Sequence, residues 1–305
     1  MIPYLLFCKI VQLFALMAAG FVVAKLGVVK KGDSLVLSKL ALFLLMPAAL
    51  IKAFSIELTP EIKSGLIIAF SVSIFLHFIL LAIDWLYAKI THASAAERAS
   101  VIYSNAANLI IPIVSFVLGE EWVIYSCAFM SVQIVFLWTH CISLFDKETK
   151  FNIKKILLNP NIIAVIIGAL IMLSGLKLPS VVYGFVSDLG GMVGTFGMLI
   201  AGMLMAEMDL KKVFSNLGAF RAVIARMIVC PAIVLLILRV IRSFALGGNS
   251  EQVLLIVFLA CMTPTAATVT QMSQLNHNNE ETAISVNVIS TLLSIITMPL
   301  FVALY

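Results

Sequence analysis

Two stretches place ligand-capable polar groups inside otherwise apolar runs. SNAANLIIPIV, residues 104–114, carries Asn105 and Asn108 three positions apart, and therefore on one helix face, followed by Pro112. CMTPTAATVTQ, residues 261–271, surrounds Pro264 with Thr263, Thr265, Thr268 and Thr270. Carboxamides and hydroxyls suit recognition by hydrogen bonding. Proline removes a backbone donor and disfavours the helical turn before it, so carbonyls near Ile110 and Ile111 are expected to lose their partners. In lipid each orphaned group costs several kcal/mol, so a break is tolerable only inside protein or beside a water-filled cavity. The unwound turn then offers free N–H and C=O groups, with half-helix N-termini suited to an anion and C-termini to a cation. The competing account is a proline kink patched by Ser and Thr hydroxyls, with the asparagines bonding between helices. It explains one break well and two breaks in matching positions poorly.

Other intramembrane polar groups are candidates for coupling or support. Asp188 is the deepest acid by position and suits proton carriage or bracing of the site, and Gln133 and Asn287 are candidate cavity residues. Asp84 and Glu207 lie near the ends of apolar runs, and Arg226 is expected to snorkel or to pair with an acid. His77 and His140 read as packed side chains on apolar faces. The chain has no HExxH, no GxSxG and no GxxxxGK[ST], so no catalytic residue, metal site or cofactor is expected.

The elements that must hold these residues are membrane helices. A chain of 305 residues that is 62% hydrophobic and 11% charged is far too apolar for a water-facing surface. Its five cysteines are scattered, without a CxxC pair, and read as apolar packers. Basic residues sit at the ends of apolar runs and form no stripe, so nucleic acid is not an expected partner. Hydropathy divides the chain into about ten spans, near 4–27, 34–55, 64–90, 97–118, 121–145, 160–177, 181–207, 218–243, 251–274 and 281–304. Fourteen of the 20 Lys and Arg residues fall on the side of the loops after odd-numbered spans, which places both termini outside and the 146–160 connection inside.

An odd number of spans per half makes related halves an inverted repeat. GFVVAKLG, with Gly20 and Gly27, echoes GALIMLSG, with Gly168 and Gly175, and prolines fall in the fourth and ninth spans. The expected organisation is a first repeat over 1–146, a cytoplasmic connection over 147–158 and a second repeat over 159–305.

LSKLALFLLMPAAL (37–50), Asn105 seven residues before Pro112, NPNIIAVIIG (159–168), SDLGGMVGTFGMLIAGMLMA (187–206) and ISTLLSIITMPLF (289–301) resemble the auxin efflux carrier family, whose bacterial members include malate and malonate permeases. The resemblance covers almost the whole chain. It implies an all-α polytopic membrane protein, a five-plus-five inverted repeat with two crossed broken helices, like bile-acid symporters and sodium/proton antiporters. Residue by residue it puts Asn105 and Pro112 in the first crossover, Pro264 in the second, and Asp188 at the acidic position before the glycine-rich seventh helix. The chain departs from the family at Ile110, where glycine is common, at Asn108, and in its threonine-rich second crossover.

The expected activity is secondary transport of a small organic anion of the carboxylate class, in the plasma or inner membrane of a bacterium. The alternative is a monovalent-cation/proton exchanger that titrates Asp188, and a non-transporting receptor is a third class. Coupling to protons or sodium and a homodimeric state are open, and the lipid bilayer is the other partner.

Overall fold

A computed structural model describes residues 2–30, 32–146, 154, 157–244 and 247–305. The connection expected over 147–158 therefore lies largely outside the described residues.

Among the described residues the chain is helical throughout, with a single isolated bridge between extended segments. Seven helices are long and apolar enough to cross a membrane: α1 (Ile2–Lys25), α2 (Asp33–Phe54), α3 (Pro60–Thr91), α6 (Glu120–Phe145), α8 (Ser180–Ala206), α10 (Leu217–Ser243) and α13 (Glu280–Leu304). Shorter helices complete the bundle: α4 (Ala95–Ile102), α5 (Ala106–Val117), α7 (Pro160–Ser174), α9 (Leu210–Ser215), α11 (Ser250–Met262) and α12 (Ala267–Leu275).

Local chemistry sets the helix ends. The Thr59 side chain accepts from the Ile62 N–H with Pro60 in the first turn, and Ser94 and Glu97 form a reciprocal capping box at the start of α4. Two prolines follow π-helical turns by two residues: Pro47 after Ala41–Leu45 and Pro231 after Ala225–Val229. The widened turn accommodates the ring and the missing donor without ending the helix.

Packing sorts the helices into two sets. α1 runs against the second half of α8, while α7 and the first half of α8 pack on the end of α2. The first contact is backbone to backbone, because a Cβ on Gly20 would run into the Leu199 carbonyl and one on Gly202 into that of Met17. The second set gathers α3, α6, α10 and α13 on α11, whose residues Val253 to Met262 are all buried, and α4 and α12 join it through α13. A helix apolar on every side belongs at the centre of such a set. Each set draws helices from both halves of the sequence, and α5 lies between them, against α1, α6 and α8.

Candidate functional site

The site is built where two helices stop and restart. α4 ends at Ile102 and α5 begins at Ala106; α11 ends at Met262 and α12 begins at Ala267. The extended segments between them run antiparallel. The Asn105 N–H donates to the Pro264 carbonyl at 2.7 Å, and the Ala266 N–H donates to the Tyr103 carbonyl at 2.9 Å.

This corrects the expected position of the first break. Pro112 does not interrupt the helix; it sits inside α5, and the chain leaves the helix at Tyr103 to Asn105 instead. One proline deletes one intrahelical bond, which a helix survives when its neighbours are packed. At residues 103–105 the backbone leaves the helix because better-placed partners are waiting.

Two clamps hold the crossing. From α6, the buried Gln133 carboxamide takes both backbone groups of Ser104: the Ser104 N–H and Oγ donate to Oε1 at 3.0 and 2.6 Å, and Nε2 donates to the Ser104 carbonyl at 2.8 Å. From α13, Ser290 Oγ accepts from the Thr265 N–H at 3.2 Å and Asn287 Nδ2 donates to the Thr265 carbonyl at 3.2 Å. The Thr265 hydroxyl donates to the Ser100 carbonyl and that of Thr263 to the Ala260 carbonyl, both at 3.1 Å. The Thr265 hydroxyl and the carboxamides of Gln133 and Asn287 therefore hold the crossing together, whereas the Thr263 hydroxyl caps its own helix end. The expectation that the unwound turns leave their carbonyls free is also corrected, because Arg226 of α10 donates to the carbonyls of Val101, Ile102, Cys261 and Thr263. Arg226 is fully buried, so it does not snorkel, and among the described residues no acid pairs with it.

What stays available is the opposite end of each break. Neither α5 nor α12 has a side-chain cap at its N-terminus, and the first N–H groups of a helix have no partner within it. Asn105 stands at the start of α5 and accepts from Asn108 Nδ2 on Oδ1 at 3.1 Å. Thr268 lies half-buried in the first turn of α12.

A cavity of about 680 Å³ reaches α5 from the side on which the chain begins. Pro112 and Gly194 line its inner part, and Asn108 and Gly197 meet one helical turn deeper. The contact is close: a Cβ on Gly194 would lie 2.7 Å from Pro112 Cγ, and one on Gly197 would lie 2.9 Å from Asn108 Cβ. Lys9 and Lys52 also line the cavity. Lys52 pairs with Glu120 at 3.0 Å, whereas Lys9 lies over the Phe116 ring, 5.0 Å from its centroid, with no ion pair among the described residues.

The structure brings Asn105, Asn108, Thr263, Pro264, Thr265, Gln133 and Asn287 together at the crossing, with Thr268 just beyond it. Asp188 is exposed on α8 and is not among the residues lining the cavity. Asp84 and Glu97, not Asp188, are the buried acids, and Asp84 is held by Arg98 at 2.7 Å. His77 is packed, stacked on Phe136 with ring centroids 5.1 Å apart. Sequence reasoning missed the cavity lysines and the role of Arg226. The signal for both was a cation inside an apolar run: Lys9 within Ile2–Lys25, and Arg226 five residues before Pro231.

The sequence matches the family described as membrane transport protein over residues 5–153 and 147–302. No curated protein matches it.

Proposed function

This chain belongs to the membrane transport protein family, the auxin efflux carrier family its sequence resembles, and we propose that it is a secondary transporter of a small organic carboxylate. The observation that carries this reading is the pair of uncapped half-helix N-termini, on α5 and α12, beside the Asn105 and Asn108 carboxamides. Each N-terminus carries about half a positive charge, and backbone N–H groups there bind carboxylates without a basic side chain. Lys9, over the Phe116 ring in the cavity, adds a cation on the approach that has no ion pair among the described residues. The buried acids are already occupied, Asp84 by Arg98 and Glu97 by Arg221, and this favours an anion over the cation/proton exchange alternative.

The proposed mechanism is alternating access: the set around α11 carries the crossing and moves against the set of α1, α2, α7 and α8. The halves 1–146 and 159–305 form the proposed five-plus-five inverted repeat, with ten membrane crossings. Matched features support it. Gln133 and Asn287, from the last helix of each half, clamp equivalent extended residues, and Gly27 and Gly175 both have left-handed φ, 72° and 68°, where the first helix of each half ends. With both termini outside, the cavity opens outward.

The test is uptake of a carboxylate panel into proteoliposomes, with affinity measured on Asn105→Ala and Asn105→Asp. Losing a hydrogen bond to a charged group costs about 1.5–3 kcal/mol, or roughly ten- to a hundred-fold in affinity, and a carboxylate facing the substrate costs more. Asn105→Asp is therefore expected to bind more weakly than Asn105→Ala, with both proteins still folded. Wild-type affinity in Asn105→Asp would sink the anion assignment.

A further inference from the structure

The carbonyl ends of α4 and α11 converge on one side chain. Arg226 Nη1 donates to the carbonyls of Val101 and Ile102 at 3.2 and 3.1 Å. Nε and Nη2 donate to the Thr263 carbonyl at 3.1 and 2.8 Å, and Nη2 also donates to the Cys261 carbonyl. Arg226 has no salt bridge among the described residues, since the buried acids Asp84 and Glu97 are held by Arg98 and Arg221. A buried cation without a counter-ion is normally too costly to keep. Here the compensation is backbone: two helix C-termini, each carrying about half a negative charge, present their last carbonyls to the fork of a guanidinium.

Carbonyl oxygens at the C-terminal ends of broken helices are also what an alkali cation would take as ligands. A guanidinium in that cradle occupies it permanently. We propose that Arg226 fills the place of a coupling cation, so that the crossing carries a built-in positive charge and substrate movement is not driven by sodium. The proposal rests on the reading of the α5 and α12 N-termini as an anion site, and it specifies how that site is coupled. With the guanidinium on one side of the crossing and two helix N-termini on the other, the field favours an anion and disfavours a monovalent cation throughout the transport cycle. The π-helical turn Ala225–Val229 contains Arg226, which makes that turn part of the device.

The experiment uses the full chain, purified and reconstituted. Carboxylate uptake is measured in sodium or choline medium at fixed pH, and melting temperature in sodium or choline chloride, for wild type, Arg226→Lys and Arg226→Ala. Wild-type uptake and melting temperature are expected to be indifferent to the choice of cation. Arg226→Ala exposes the carbonyl cradle: it should melt earlier, lose about tenfold or more in uptake, and regain melting temperature in sodium but not in choline. Arg226→Lys keeps the charge without the fork, so it should retain part of the uptake and show no sodium response.

Uptake driven by a sodium gradient in wild type, or a sodium-specific rise in its melting temperature, overturns the proposal. So does an Arg226→Ala protein with normal uptake or a melting temperature blind to sodium. Should Arg226→Ala fail to purify, the wild-type and Arg226→Lys measurements decide. Absence of uptake for every carboxylate would count against the anion reading alone, because the melting-temperature arms test the cradle independently of the substrate.

Discussion

At the scale of single residues, the polar side chains of the crossing divide by what they touch. Gln133 satisfies a donor and an acceptor of the Ser104 backbone at once, which an apolar residue of similar size does not do. Gln133→Leu is expected to destabilise the protein by about 1–3 kcal/mol for each group left orphaned. Denaturation of the purified variant in detergent checks this, and an unchanged melting temperature would mean the clamp is dispensable. Among the described residues Lys9 touches no acid, and it sits over an aromatic ring in the cavity, so its predicted effect is on capture. Lys9→Gln should raise the KM for the carboxylate several-fold while leaving kcat nearly intact, and the difference from wild type should shrink at high ionic strength. A salt-independent fall in kcat would instead make Lys9 part of the moving machinery.

At the scale of elements, the contact between α5 and α8 has the least room to spare near the site. Gly197 faces Asn108 across it, and any side chain there meets the carboxamide that stands beside Asn105. Gly197→Leu is expected to force the helices apart, costing about 1–3 kcal/mol in stability and abolishing measurable uptake. Gly184 lies earlier in α8, and a Cβ there meets nothing within 4 Å, so Gly184→Ala serves as the control with normal uptake. Equal losses in the two variants would point to general weakening of α8 and not to a wedge at the site.

At the scale of the whole molecule, orientation rests on charge. Arg226 is buried at the crossing and belongs to neither face, so the proposed orientation, with both termini outside, rests on the asymmetry of the other Lys and Arg residues. In a background without the native cysteines, Glu121→Cys in the cavity and a cysteine added after Tyr305 should react with an impermeant reagent on intact cells, while Lys212→Cys should be shielded. Labelling of Tyr305 and Glu121 from opposite sides would rule out this topology, and with it the outward-facing cavity.

Hydropathy alone marked the chain as a bundle of apolar helices, seven of them long enough to cross a membrane, because crossing a bilayer demands apolar runs of about 20 residues whatever the fold. The same local rules made Pro264 legible as a break and Asn105 as a polar position beside one. Pro112 misled, because a proline reports only the intrahelical bond it removes, whereas the chain breaks where partners from distant helices compete for the backbone. Those partners, Gln133 from α6, Asn287 and Ser290 from α13 and Arg226 from α10, are dispersed in sequence and meet only when the set around α11 is packed. Which carbonyls are taken and which N–H groups stay open is therefore a property of the packed bundle, since each backbone group is satisfied by whatever the tertiary fold brings to it.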